Sequence, residues 1–348
     1  MRIETDLKLD FDDVLIRPKR STLTSRKDVD LHRTYNFLHG GSYFEGIPIM
    51  AANMDGVGEL EVGETLSALD LFTCYKKDID EDSLIEALSL YTVNKQRNNV
   101  AVTIGRNDYD FDKLGRISKH VQVQNICVDV ANGYSQAFVD FVSKVRDNYP
   151  NSNIFAGNVV TGEMVEELLL AGADVVKVGI GSGSVCTTRI KTGVGYPQFS
   201  CIAECADAAH GLNGHIIADG GCTTPGDVAK AFGAGADFVM LGSLLAGTDE
   251  TPGSVMHTKN GREKVYRGMA SKEAQRSWRN RISSNEGISH TVPLKGPVKH
   301  VLDELRTGIR SGISYSGADS VPSLQAKARF IRQTQSGQVE SSTHIKRI

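Results

Sequence analysis

Short apolar runs recur along the chain, each closed by glycine or a polar residue, and most are followed by a stretch whose apolar positions fall at helical spacing. The runs Ile47–Ala52, Leu71–Tyr75, Val100–Ile104, Asn125–Val130, Ile154–Gly157, Asp174–Ile180, His215–Asp219 and Asp237–Leu241 predict eight strands. EMVEELLLAGA ahead of Asp174 and GDVAKAFGAGA ahead of Asp237 predict helices. Strand, helix, strand at this pitch means parallel βαβ units. An internal echo supports it: AGADVVKVGIG (171–181) and AGADFVMLGS (234–243) share a pattern at an offset of 63 residues, two units apart. Eight units predict an α/β fold, a (β/α)8 TIM barrel, as one domain over 1–348. Strand count alone leaves an open doubly wound sheet as the competing architecture.

Two spacings locate the function, because barrel sites are built from loops at the C-terminal ends of the strands. The step after the sixth strand holds GSGSVCTTRIKTGVGYPQ, a candidate catalytic loop at about 179–198. After the eighth strand a second long segment, a flap at about 244–296, precedes the helix beginning near Pro297. The polar end, about 336–348, reads as a mobile tail.

Composition removes several classes. Lysine and arginine (39) nearly balance aspartate and glutamate (42) without blocks of one sign, so bulk charge advertises neither a nucleic acid nor an anionic membrane. The charged N-terminus lacks the apolar core of a secretory signal, and no run reaches the roughly 18 apolar residues of a membrane span. Six scattered cysteines, Cys74 and Cys127 inside apolar runs, read as reduced thiols of a cytoplasmic protein. CxxC, HExxH and Walker-A patterns are absent from the sequence, and Cys201 and Cys205 read as one buried helix face.

Glycine is in excess, 35 residues, and clusters just after the strands, where backbone must turn tightly or approach a ligand. The run Gly179–Arg189 fails as a dinucleotide fingerprint: the third glycine falls at Cys186, and the residues after it do not read as a helix start. Cys186 is either a small residue in a tight loop or a nucleophile, activated where backbone N–H groups and a cation lower a thiol pKa. Thr187 and Thr188 offer hydroxyls beside it. Asp219-Gly220-Gly221 and Gly242-Ser243 close strands seven and eight, the pair of loops where barrels often hold a phosphate. Asp219 then suits a ribose diol, or else caps the next helix. Lys77 is either solvated or turned into the barrel mouth, and Asp129 stands on the same rim.

With these strings in view the chain resembles the IMP dehydrogenase and GMP reductase family along nearly all its length. The resemblance rests on LDFDDVLIRPKRSTLTSR (9–26), AANMD (51–55), DVANGYS (129–135), AGNVVTGEM (156–164), GIGSGSVCTTR (179–189), GVGYPQ (193–198), DGGCTTPGDVAKA (219–231) and GMAS (268–271). It implies that the Cys186 thiolate attacks C2 of the purine of GMP, expelling ammonia and leaving a covalent thioimidate, and that hydride from NADPH then releases IMP. Thr188 and Glu286 would handle the proton on the departing amine, and Lys77 would assist the hydride step. Substrate would be held by Asp219, Gly220, Gly221, Gly242, Ser243, Gly268, Met269 and Ala270. Cofactor would lie along Asp129, Val130, Ala131, Ile180 and Gly181, with Ser25, Arg26 and Ser314, Tyr315, Ser316 and Gly317 reaching it from a neighbouring subunit of a homotetramer. Carbonyls of Gly181, Gly183 and Cys186 would hold a monovalent cation, K+.

Chemistry separates the two branches of the family. A dehydrogenase must hydrolyse its covalent intermediate and needs a group that activates water, associated in such enzymes with an Arg-Tyr pair on the flap; a reductase must keep water out. No tyrosine lies between Arg267 and Gly296, and the step between strands two and three is too short for a regulatory insert, so the reductase branch is expected. LGSLLAGTDETPG and YRGMAS look more dehydrogenase-like and keep a dehydrogenase lacking the regulatory module as the alternative. A nucleotide-binding barrel without turnover is the reading from another class.

Overall fold

The structure is a computed structural model that describes residues 3–93, 99–259, 261–267 and 288–341. Eight parallel strands close into a barrel in chain order: β1 (Ile49–Ala51), β2 (Phe72–Cys74), β3 (Val100–Ile104), β4 (Asn125–Asp129), β5 (Asn153–Val159), β6 (Val175–Val178), β7 (His215–Asp219) and β8 (Phe238–Leu241), with β8 paired to β1. Every predicted run is a barrel strand, with ends shifted by a few residues. Closure excludes the open doubly wound sheet.

The helices follow as expected: α1 (Leu60–Ala68), α2 (Glu81–Val93), α3 (Asp108–Ser118), α4 (Gln136–Asn148), α5 (Gly162–Leu170), α6 (Gln198–Gly211), α7 (Pro225–Gly233) and α8 (Val298–Tyr315). Local chemistry sets their ends. Asn107 caps α3 through its side chain, and Thr224 with Asp227 forms a reciprocal capping box at α7, whose first residue is proline. Thr224 therefore does the capping that Asp219 was one candidate for. Cys201 and Cys205 lie buried on α6.

Both faces of such a sheet are covered, so outward residues such as Ile49, Ala51, Val176 and Val178 pack on helices while inward ones fill the barrel. The N-terminal half of the interior is apolar: Met50, Phe72, Ala101, Cys127, Phe155, Val175, Ile217 and Phe238 form one buried cluster. A hairpin of Arg33–Asn36 and Tyr43–Gly46 closes that end. Its Tyr35 and Phe44 rings both stand 5.0 Å from Phe238, and Phe37 stands 5.8 Å from Phe155. Aromatic rings thus plug the N-terminal end, which leaves the C-terminal end as the mouth.

Three features escaped the sequence reading. A short helix, Thr188–Thr192, begins two residues after Cys186, where the sequence did not read as a helix start. The flap stands on an antiparallel sheet of Met256–Thr258, Gly261–Arg267 and Ser289–Pro293, in a segment that reads as a loop. Near the end, Phe330–Arg332 pairs antiparallel with Val14–Ile16 and Gln335–Val339 forms a short helix capped by Thr334.

The aromatic plug generates a stability prediction. Phe238 is fully buried between Tyr35 and Phe44, so Phe238→Ala should lower the unfolding free energy in urea by about 3–5 kcal/mol. A loss below about 1 kcal/mol would contradict close packing there.

Candidate active site

Toward the mouth the inward positions change from apolar to ionised. Lys177 of β6 is 1% exposed, and its Nζ donates to Asp129 Oδ1 at 2.5 Å and Asn53 Oδ1 at 3.2 Å and lies 3.2 Å from Asp219 Oδ2. Gly157 makes this possible, because a Cβ there would stand 2.5 Å from the Lys177 carbonyl oxygen and 2.6 Å from its Cβ. Desolvation opposes the charge on Lys177, but Asp129 and Asp219 outweigh it and raise the pKa well above the ordinary lysine value. Lys77 Nζ donates to the Asp129 carbonyl at 2.7 Å and lies 3.3 Å from Asp129 Oδ2. Lys77 is thus turned into the mouth. Burial alone would push the Asp129 carboxyl up; Lys177 and Lys77 hold it well below the usual carboxylate range.

The loop after β6 carries Cys186, half-buried, whose thiol donates to Thr188 Oγ1 at 3.2 Å. Thr188, not Thr187, reaches the sulfur; the Thr187 hydroxyl is buried with no hydrogen-bond partner among the described residues. The Cys186 N–H donates to the Gly183 carbonyl at 3.0 Å, closing a tight turn. Gly181 has φ +82°, and a side chain there would strike Arg189. The neighbouring loop fits closely against this one: Ser182 Oγ donates to the Asp219 carbonyl at 3.1 Å, and a Cβ on Gly220, at φ +93°, would lie 2.6 Å from that Oγ. Asn158 Nδ2 bridges the Gly179 carbonyl and Asp219 Oδ2, each at 2.9 Å.

The loop after β8 completes the rim. Gly242 lies under Tyr266, whose hydroxyl would be 2.6 Å from an added Cβ, and Lys295 Nζ donates to the carbonyls of Ser243 and Leu244 at 2.7 and 2.9 Å. Burial lowers the Lys295 pKa. Tyr266 is 3% exposed, and burial pushes its phenol up to about 12, so it stays protonated at neutral pH. Arg267 Nη2 pairs with Asp55 Oδ2 at 2.5 Å, holding the strand that leads into the flap. Within AANMD, then, Asn53 meets Lys177, Met54 meets Tyr266 at 3.6 Å and Asp55 meets Arg267.

Cys186, Thr188, Lys77, Asp129, Val130, Gly181, Gly183, Asp219, Gly220, Gly221, Gly242 and Ser243 are all partly accessible, at or just beyond the C-terminal ends of strands, with Ile180 buried beneath and Ala131 exposed. Ser25 and Arg26 lie elsewhere, in a turn where Arg26 Nη1 donates to Ser311 of α8 at 3.2 Å. Ser314 to Gly317 end that same helix, and the Tyr315 carbonyl accepts from the Lys19 N–H at 2.9 Å. These two segments meet on one surface, and Tyr315 is 73% exposed there. Glu286, Gly268, Met269 and Ala270 fall outside the described residues.

Sequence reasoning missed Lys177, Asn53, Asn158, Tyr266 and Lys295. Lys177 had a signal: it interrupts the apolar run Val175–Ile180 of a strand buried on both faces, and a buried charge must be paired. The others carry no local signature, since their partners are distant in sequence.

Comparison with known proteins finds relatives over nearly the whole chain. The model of the IMP dehydrogenase / GMP reductase domain family matches residues 8–344. The chain is 51% identical over 338 residues to GMP reductase of Onchocerca volvulus (96% of this chain, 93% of that protein) and to GMP reductase 2 of Homo sapiens (96% of each). It is 50% identical over 347 residues to GMP reductase of Citrobacter koseri, covering 98% of this chain and all of that protein.

The depressed pKa of Asp129 has a definite consequence. Its contribution to stability is present above the unfolded-state value, about 3.9, and is lost as pH falls through the folded-state value. Asp129→Asn should therefore lower the urea midpoint at pH 7, and the gap from the wild type should narrow below about pH 4. A gap that widens on acidification contradicts the ion-pair assignment.

Proposed function

The chain belongs to the IMP dehydrogenase / GMP reductase family, and on that footing we propose that it is a GMP reductase, converting GMP, NADPH and two protons into IMP, ammonium and NADP+. The observation that carries the reading is the Cys186–Thr188 pair, 3.2 Å apart, on the loop after β6 that packs against the loop after β7.

The residues divide the work. Gly220, Gly221, Gly242 and Ser243 supply backbone N–H groups to the nucleotide phosphate, and Asp219 accepts from the ribose hydroxyls. Gly268, Met269 and Ala270 contact the base. Cys186 Sγ adds to C2 of the purine, the exocyclic amine leaves as ammonia, and C2 remains joined to the enzyme as a thioimidate. Thr188, with Glu286, delivers the proton that the amine needs to depart. Bound nicotinamide supplies the hydride that C2 then takes up. The C2–S bond breaks and Cys186 is restored.

Lys77 and Asp129 fit the cofactor side, being partly accessible and paired, so that a positive and a negative group face the transfer together. Val130, Ala131 and Gly181 would line the same seat, with Ile180 buried beneath it. Ser25, Arg26, Ser314, Tyr315 and Gly317, accessible on one face, suit contact with the cofactor of a neighbouring copy in a homotetramer. Ser316, expected beside them, is instead buried with its hydroxyl donating to the Ile313 carbonyl at 2.7 Å and is not available for that contact. Arg26 and Lys27 offer charge for a 2′-phosphate, hence NADPH. Carbonyls of Gly181, Gly183 and Cys186 would offer a bound cation an all-oxygen, uncharged donor set, which suits K+ better than a transition metal.

Water must be kept from the covalent intermediate. The tyrosine-free stretch 268–296 and the buried, protonated Tyr266 leave no phenolate to activate it, which favours the reductase over the dehydrogenase. The whole chain reads as one barrel domain with its flap. Among the described residues no helix is long and apolar enough to cross a membrane, and the six cysteines are free, which suits a cytoplasmic enzyme.

The test is absorbance at 340 nm with purified protein and potassium, run in parallel with GMP plus NADPH and with IMP plus NAD. The proposal expects NADPH to fall mole for mole with ammonia released in the first mixture. NADH formed from IMP in the second, with no loss of NADPH in the first, would replace the reductase by the dehydrogenase.

A further inference from the structure

We propose that Lys177 is a positioning residue that couples the nucleotide seat to the cofactor seat. Its ammonium is shared between Asp219 on the nucleotide side and Asp129 on the cofactor side, so each carboxylate's hold on it depends on what the other is doing. The inference deepens the reading above and rests on it for the roles of the two aspartates.

An ammonium has three N–H donors, and three acceptors surround this one: Asp129 Oδ1 at 2.5 Å, Asn53 Oδ1 at 3.2 Å and Asp219 Oδ2 at 3.2 Å. At 1% exposure, hydrogen-bonded to Asp129 and Asn53 and ion-paired with Asp219, Lys177 acts through the two acids and not on a ligand. Asp219 spends Oδ2 on both Lys177 and Asn158, which leaves Oδ1 as its remaining acceptor for a ribose hydroxyl. Asp129 is divided likewise, Oδ1 to Lys177 and Oδ2 toward Lys77. A chain of alternating charge therefore runs Asp219, Lys177, Asp129, Lys77 across the mouth. Hydroxyls donating to Asp219 draw its charge away from Lys177, Lys177 turns more fully to Asp129, and Asp129 holds Lys77 less tightly. Lys77 is thereby readied for the reacting groups when nucleotide is bound.

The chain also explains why the two acids coexist. Without Lys177 they would be like charges facing each other in a confined interior, and one would retain a proton well above its usual range.

The experiment uses Lys177→Met, which keeps most of the volume and removes the charge. GMP affinity is measured without cofactor, and turnover is followed across pH. The variant should bind GMP about tenfold or more weakly, and the acid limb of kcat/KM should move up by about one pH unit. Adding Asp129→Asn removes one of the two like charges left facing each other and should recover GMP affinity by about threefold or more, which a merely structural lysine would not allow. A folded Lys177→Met that keeps wild-type GMP affinity and an unmoved acid limb overturns the proposal, as does failure of the second change to recover affinity.

If Lys177→Met does not fold, Asp129→Asn alone decides. Asp129 is on the cofactor side, so a shift of about threefold or more in GMP affinity without cofactor is transmitted through Lys177, and an unchanged affinity overturns the coupling. Wild-type protein in the same assays separates the two failures. No GMP-dependent NADPH loss there defeats the functional reading itself, whereas normal wild-type turnover with uncoupled variants defeats only this inference.

Discussion

Lys177 carries a positive charge into the interior of a closed barrel, where an isolated ion would cost many kcal/mol, and everything at the mouth is arranged around answering it. Two aspartates from β4 and β7 and an amide from the β1 loop converge on its ammonium, and a glycine in β5 clears space for its backbone and Cβ. The C-terminal ends of three strands are thereby tied together by one side chain from a fourth. The aspartates are also the groups proposed to meet a ribose and a nicotinamide, so on that proposal the ion network and the ligand seats are one structure.

Below that layer the interior is packed largely with apolar side chains. Phe72, Phe155 and Phe238 fill the N-terminal half, and the Tyr35–Phe44 hairpin covers them, so the interior is polarised along its axis. The ionised end is the one left open by the aromatic plug. Glycines mark this end: Gly220 adopts a positive φ where the loop after β7 touches Ser182 and Gly183, and Gly181 adopts one where the loop after β6 folds back on its own Arg189, so neither can carry a side chain. The cysteine loop is held by Asp219 on one side and the Tyr266 strand on the other, which keeps its sulfur beside Thr188.

Much of this is legible in the sequence. Eight apolar runs at βαβ pitch mark the barrel, and glycine clusters after the sixth, seventh and eighth mark the working loops. The strands of a parallel barrel are buried on both faces, however, so their apolar runs do not alternate, and parity cannot be read from them. That is why Lys177 looks like one lysine in an apolar string until the fold shows it pointing inward. Other misses have the same origin in long-range pairing: Tyr266 finds Met54 and Lys295 finds Ser243 across distances that no local pattern encodes. The sheet under the flap escaped because its strands, partly exposed, lack the continuous apolar content of the barrel.

The central claim is that this mouth exists to let the Cys186 sulfur form and release a bond to a bound purine nucleotide. The most direct measurement is Cys186→Ala, assayed for GMP binding by calorimetry and for single-turnover release of ammonia. The account predicts retained binding with ammonia release abolished. An alanine variant that still releases ammonia from GMP would contradict it.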